Sequence, residues 1–233
     1  MNLAEQILDF YRGLELRNEL LPDDVKALNP YADAPEEVWE VIHAFYYQYY
    51  SDSEARGLIL GINPGRFGAG ATGIPFTDSY TLEEHCNISF PDNTRETSAD
   101  FVYRVIAAYG GAEKFYQDWF IGAASPLGFV RQNDKGNWVD WNYYDQKSLY
   151  RNLRPFIDEK LRHQHRMCKQ PPTAIVLGTG KNYQFLNEIN GELKLFQKLV
   201  PLEHPRYIMQ YKRKLVDDYV DKFVRTLKAH LPK

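Results

Sequence analysis

Two short segments hold the residues whose types and spacing suit chemistry on a planar, polar ligand. The first is Gly61-Ile62-Asn63-Pro64-Gly65-Arg66-Phe67-Gly68, continued through Gly70, Gly73, Ile74 and Pro75 to Phe76. Asn63 brings a carboxamide, at once donor and acceptor, and the proline after it restricts its backbone. Glycines at 65, 68, 70 and 73 let backbone N–H groups approach an anion or a flat ring closely. No acidic residue lies between Arg56 and Asp78. An ordinary long turn, with Asn63 capping its own backbone, is the plainer reading of the same residues. The second segment runs from His204-Pro205-Arg206-Tyr207 through Tyr211 to Lys212-Arg213-Lys214, with no acid between Glu203 and Asp217. Its cations suit phosphates and its aromatics suit bases. A solvated helix start with an ordinary histidine is the alternative there.

Two look-alikes fail on context. Gly68-Ala69-Gly70-Ala71-Thr72-Gly73 satisfies the G-x-G-x-x-G pattern, but it begins several residues past the strand end and runs into Ile74-Pro75. Gly178-Thr179-Gly180-Lys181 lacks the spacing of a phosphate-binding loop, and Asn182 stands where a Ser or Thr is needed. The remaining histidines (43, 85, 163, 165 and 230) show no metal-ligand spacing, and Cys86 and Cys168 are too few for a thiolate cluster. No metal and no cofactor are expected.

The elements that must position these segments follow from hydrophobic periodicity. Residues about 2–17 read as an amphipathic helix with Leu3, Ile7, Phe10, Tyr11 and Leu14 on one side. Asp33 is expected to cap a helix from Pro35 through VWEVIHAFYYQYY. GLILGIN (57–63) reads as a fully buried strand. Thr97 to Asp100 open a helix that stops at Gly110-Gly111, and WFIGAASPLGFV (119–130) is the second strand. A helical stretch follows, broken or restarted at Pro155. TAIVLGTG (173–180) is the third strand, followed by a helix to Gly191, and LFQKLVPLEHP (195–205) is the fourth, before a last helix through LVDDYVDKFVRTLKAHL. Strands alternating with helices predict an α/β fold, a three-layer α/β/α frame around a central, mostly parallel four-stranded sheet. Ligands in such sheets sit at the carboxyl ends of the strands, here after residues 63, 125, 179 and 203. Residues 1–233 read as one domain, with 1–50 a helical segment packed on it.

The chain has 233 residues, 44% apolar, with a net charge of −3. That balance argues against a protein that coats nucleic acid, though it permits a local basic rim. MNLAEQILDFYRG lacks the basic and apolar regions of a signal peptide, and no stretch reads as a membrane span. Two distant cysteines fit a reducing, cytoplasmic compartment.

The two strand-end segments on this frame resemble the uracil-DNA glycosylase superfamily, and within it the single-strand-selective monofunctional (SMUG-type) branch. That branch reads Gly-Met-Asn-Pro-Gly-Pro-Phe-Gly and Thr-Gly-Val-Pro-Phe, where this chain has GINPGRFG (61–68) and TGIPF (72–76). Glu96-Thr97-Ser98 resembles its Glu-Val-Ser, Ser125-Pro126-Leu127 its Cys-Pro-Leu, Val176 to Gly180 its Val-Gly-Val-Gly, and His204-Pro205 the start of its second motif. The likeness runs from about residue 57 to the C-terminus. It implies a monofunctional DNA glycosylase that hydrolyses the N-glycosidic bond of uracil, in a bacterial cytoplasm, as a monomer, with DNA containing a damaged base as partner.

Carried over by position, Asn63 orients the attacking water and His204 hydrogen-bonds the base carbonyl on which charge develops. Phe76 stacks on the extruded base, with Ile62 and Gly65 beside it. Arg66, Lys181, Arg206, Tyr207, Lys212 and Arg213 are expected on the DNA, those after His204 inserting into the duplex. Two departures stand out. The branch reads the uracil edge with an asparagine two residues before Cys-Pro-Leu, where this chain has Ala123, and Arg206 to Tyr211 replace the usual Ser-Pro-Arg-Asn. Asn93 and Ser125 are the expected replacement contacts, and a pocket without the asparagine is expected to take other deaminated bases, xanthine or hypoxanthine among them. No lysine stands at a Schiff-base position in either motif, so strand cleavage is not expected. The alternatives are a non-catalytic nucleic-acid or nucleobase-binding protein on the same frame, and an enzyme of free nucleosides.

Overall fold

The computed structural model describes residues 1–33, 35–91 and 93–231. In chain order the regular elements are α1 (Leu3–Arg12), β1 (Val25–Leu28), α2 (Pro30–Asp33), α3 (Pro35–Tyr50), β2 (Gly57–Gly61), α4 (Ala69–Thr72), α5 (Ser79–Cys86), α6 (Thr97–Tyr109), α7 (Ala112–Asp118), β3 (Trp119–Ala123), β4 (Gly128–Gln132), β5 (Trp138–Trp141), α8 (Lys147–Met167), β6 (Thr173–Leu177), α9 (Lys181–Leu193), β7 (Lys198–Leu202), α10 (Pro205–Tyr211) and α11 (Val216–Ala229). β3, β2, β6 and β7 form a four-stranded parallel sheet in that order, with Ile59 opposite both Ile121 and Ile175. The strands are short, apolar and, in β2 and β3, buried at every position, as a sheet covered on both faces requires. On one face Ile59, Ile121 and Ile175 meet Val102 and Val105 of α6, Phe115 of α7 and Phe223 and Leu227 of α11. On the other, Tyr50 of α3 packs edge-on against Phe120, and Gln164 of α8 binds the backbone of Ala123. One apolar cluster runs through both faces from Leu3 to Leu227.

Three readings of the sequence are corrected. WFIGAASPLGFV is two strands, not one. Ala124 and Ser125 still donate to Gly61 O and Ile62 O, but the Ser125 hydroxyl then donates to Leu127 O and turns the chain out of the sheet. β4 instead joins a three-stranded antiparallel sheet, in the order β1-β4-β5, which the sequence reading did not contain. α8 runs unbroken through Pro155. A proline in a helix interior costs about 3 kcal/mol. The helix buries Leu149, Leu153, Phe156, Ile157 and Leu161 around it, each worth roughly 1.5–3 kcal/mol, so packing outweighs the lost hydrogen bond. α1 ends at Arg12, about five residues early, where Gly13 stops it, although Leu14 is still buried. At the end of α2 the Asp33 carboxylate accepts the Asn29 N–H, while the cap position of α3 falls on residue 34, outside the described residues.

Two caps matter for the site. Asn2 and Glu5 exchange hydrogen bonds in a capping box that starts α1. Asp78 does the same with Thr81 at α5, and its second oxygen accepts the backbone N–H of Glu96, which ties the start of α6 to the start of α5.

Candidate active site

The carboxyl ends of β2 and β7, the turn after β3 and the end of β5 open onto one cavity of about 220 Å³. Asn63, His204, Phe76, Ile62, Gly65 and Arg206 all line it. Asn63 follows β2, and its carboxamide is clamped by the chain leaving β5. Nδ2 donates to Trp141 O at 3.2 Å, and Oδ1 accepts Tyr143 N–H at 3.1 Å. Tyr143 is fixed in turn, its hydroxyl donating to Asn182 Oδ1 at 3.0 Å, while Asn182 Nδ2 donates to Leu177 O at 2.9 Å. The orientation of Asn63 is therefore set through three segments distant in sequence. One lone pair of Oδ1 is left for a ligand or a water.

His204 is the N-cap of α10. Its Nδ1 accepts the Arg206 backbone N–H at 3.2 Å. A neutral imidazole accepting at Nδ1 carries its proton on Nε2, so the ring is a hydrogen-bond donor there. Burial, and then the charge of Arg206, push its pKa down to about 4, so the ring is uncharged at neutral pH. The Phe76 ring lies 5.9 Å from it, tilted by 51°. Phe76 adopts φ 53°, a left-handed conformation costly for an aromatic residue. The turn that holds it there is tied by the Thr72 hydroxyl to Thr77 O at 2.6 Å. A side chain at Gly61 would press on the Phe76 ring at 3.2 Å, so glycine there gives the ring its seat at the strand end.

The Gly-rich loop has no acid of its own, yet the fold brings two against it. Asp140 of β5 accepts both the backbone N–H and Nε of Arg66, at 3.2 and 3.0 Å. Glu96 lies so close to Gly68 that a Cβ there would sit 1.9 Å from Oε2. Both carboxyl groups line the cavity. Their border suits a developing positive charge, while Arg206 and His204 line the same cavity and suit a developing negative one. Burial raises the pKa of Glu96 to about 7; nearby Asp78 adds to the rise, while Ser98 and Arg206 oppose it and Asp140 supports it.

Not every expected residue reaches the cavity. Ser125 is fully buried with its hydroxyl committed to Leu127 O, and Asn93 is exposed; the described residues that line the cavity include neither. Lys181 and Tyr207 border an adjoining groove with Asn142, Tyr144 and Asp145, and Lys181 Nζ is 3.8 Å from Asp145. Lys212 and Arg213 lie beyond the end of α10. Arg66 is half-buried against Asp140 rather than free at the rim. The reading of the sequence gave no role to Glu96, Ser98, Asp140, Asn142 and Gln164, all of which line the cavity, nor to Tyr11 and Tyr31, which line it from the N-terminal segment. Of these, only Glu96 and Ser98 lay in a segment already picked out. Gln164 pairs with Ala123 like an extra strand, accepting its N–H at 3.1 Å and donating to its O at 3.0 Å, so both ends of that amide are spent on backbone.

A family model described as the Uracil DNA glycosylase superfamily matches residues 47–228. The crystal structure of wild-type Pedobacter heparinus SMUG2 is similar to this chain at a TM-score of 0.94 and 41% identity, over 98% of each chain. That coverage takes in the N-terminal segment that the family model leaves out.

Proposed function

We propose that this chain, which belongs to the uracil-DNA glycosylase superfamily, is a monofunctional DNA glycosylase acting on uracil and other deaminated bases in DNA. The observation that carries this reading is the convergence of Asn63, His204 and Phe76 on one cavity at the carboxyl edge of the parallel sheet. A base taken out of the stack enters the cavity and lies against Phe76. His204 Nε2–H meets the carbonyl on which negative charge grows as the C1′–N bond breaks, and a neutral donor held in place needs no reorganisation at that moment. Asn63 Oδ1 holds the water that attacks C1′. Positive charge that develops on the sugar as the base leaves is stabilised by Asp140 beside the loop. No lysine lines the cavity among the described residues, which supports hydrolysis without a Schiff base. Ala123 and the spent amide of Gln164 leave that wall without a side chain free to read one base edge, which supports a range wider than uracil.

The test is base release from a labelled single-stranded oligonucleotide bearing one uracil, in chelator, with and without alkali, repeated with xanthine and hypoxanthine. Alkali-dependent cleavage that Asn63→Ala lowers by at least a hundredfold is the expected outcome. Release of uracil alone would remove the wider range. No release from any lesion would leave a nucleic-acid-binding protein on this frame.

A further inference from the structure

Three carboxyl groups converge on the cavity and its supports, and their partners differ. Asp78 is fully buried and saturated: Oδ1 accepts the Thr81 N–H and hydroxyl, each at 2.8 Å, and Oδ2 accepts the Glu96 N–H. Asp140 holds the guanidinium of Arg66. Glu96 has neither arrangement: among the described residues it forms no ion pair, its carboxyl group lies on the backbone at Gly68 with the Ser98 hydroxyl as a hydrogen-bond partner, and it faces two other acids. The charged groups around it are Asp78 from the cap of α5, Asp140 of β5, which Arg66 already neutralises, and Arg206 of α10; the imidazole of His204 shares the cavity. Among the described residues the cation that acts on Glu96 itself is Arg206, and it is exposed. A carboxyl group so placed is the cheapest of the three to keep protonated.

We propose that Glu96 works as an uncharged acid, donating a hydrogen bond to the departing base. The inference rests on the glycosylase reading. In the step itself the C1′–N bond breaks and its electron pair leaves on the base. Water gives a hydroxyl to C1′ and a proton that ends on the base. The Glu96 O–H shares the negative charge with His204 Nε2–H meanwhile. An ionised Glu96 would repel it. The pKa of about 7 agrees with this and puts the loss of function within reach of ordinary buffers.

The experiment is single-turnover uracil release from pH 5.5 to 9 with the wild type, Glu96→Gln and Glu96→Ala, beside thermal melts of the same proteins. The wild-type rate is expected to fall at least tenfold between pH 6 and pH 8.5 along one ionisation. Glu96→Gln, a donor at every pH, should lose that fall, and Glu96→Ala should be slower throughout. The melts need no turnover. Folding binds a proton on Glu96 between the ordinary carboxylate range and about pH 7, so the stability it contributes is lost as pH rises through that window. The melting advantage of Glu96→Gln should therefore grow from pH 5.5 to pH 8.5. A wild-type rate that rises with pH and vanishes in Glu96→Gln would make Glu96 a base and overturn the proposal, as would a fall shared equally by Glu96→Gln. A melting difference that stays constant with pH would overturn it even if bases are released. Absence of turnover with a growing melting difference would instead sink the glycosylase reading and, with it, the role of Glu96 on a departing base.

Discussion

His204 owes its usefulness to what holds it. The Arg206 N–H occupies Nδ1, and burial keeps the ring neutral down to about pH 4. A neutral donor suits a leaving anion because no imidazolium has to be desolvated in a cavity that also borders Arg206. His204→Ala should lower the single-turnover rate roughly 10²–10³-fold, the usual loss for one donor to a developing anion. The pH limb ascribed to Glu96 should keep its midpoint in that variant, since His204 does not titrate there. Wild-type rates that drop between pH 6.5 and 5.5 would contradict a neutral ring. The same ring has a cost in acid: between pH 6.5 and about 4 the unfolded chain binds a proton that the folded one refuses, so stability is lost as pH falls through that window.

At the scale of elements, the small antiparallel sheet and the β6–α9 turn fix Asn63. Asn182, at the start of α9, reaches Leu177 O and the Tyr143 hydroxyl, and Tyr143 N–H reaches Asn63. Asn182→Ala should cost about 1–3 kcal/mol, because it leaves the buried Tyr143 hydroxyl and Leu177 carbonyl without their partner. Calorimetry should find the melting midpoint lowered by about 2–4 °C per kcal/mol, and kcat should fall more than KM rises, since Asn182 lies outside the cavity. A variant as active as the wild type would show that Asn63 does not depend on this support. These supports also mark where the sequence stopped being readable. β2, β6 and β7 are apolar runs ending in Asn-Pro-Gly, Gly-Thr-Gly and His-Pro, so the parallel sheet and its two motif ends were legible. β1 is only four residues long, and β5 is half-buried throughout, so neither carries a strong period. The twelve residues of WFIGAASPLGFV looked continuous because the turn inside them is short and buried. Glu96, Asp140 and Gln164 could not be found by spacing, since what aims them at the cavity is an antiparallel pairing, a cap shared between two helices, and a contact across 41 residues.

For the molecule as a whole, a net charge of −3 must be reconciled with the DNA substrate proposed for it. The resolution is local. Arg206 and Arg213 are exposed on and just beyond α10, next to the exposed rings of Tyr207 and Tyr211, whereas Arg66 already spends its charge on Asp140. Counterion release counts only cations that meet phosphate, so the dependence of affinity on salt separates the two groups. With an uncleavable abasic-site oligonucleotide, Arg206→Ala and Arg213→Ala should each reduce the slope of log K against log salt by about 0.7 for a single strand, or about 0.9 for a duplex. Arg66→Ala should leave that slope unchanged while still altering turnover, because it releases Asp140 beside the loop that carries Asn63. Fluorescence anisotropy over a series of salt concentrations measures all three. Equal reductions from all three arginines would mean that the Arg66–Asp140 pair opens on DNA, and that the loop around Asn63 is rebuilt by the substrate rather than held ready for it.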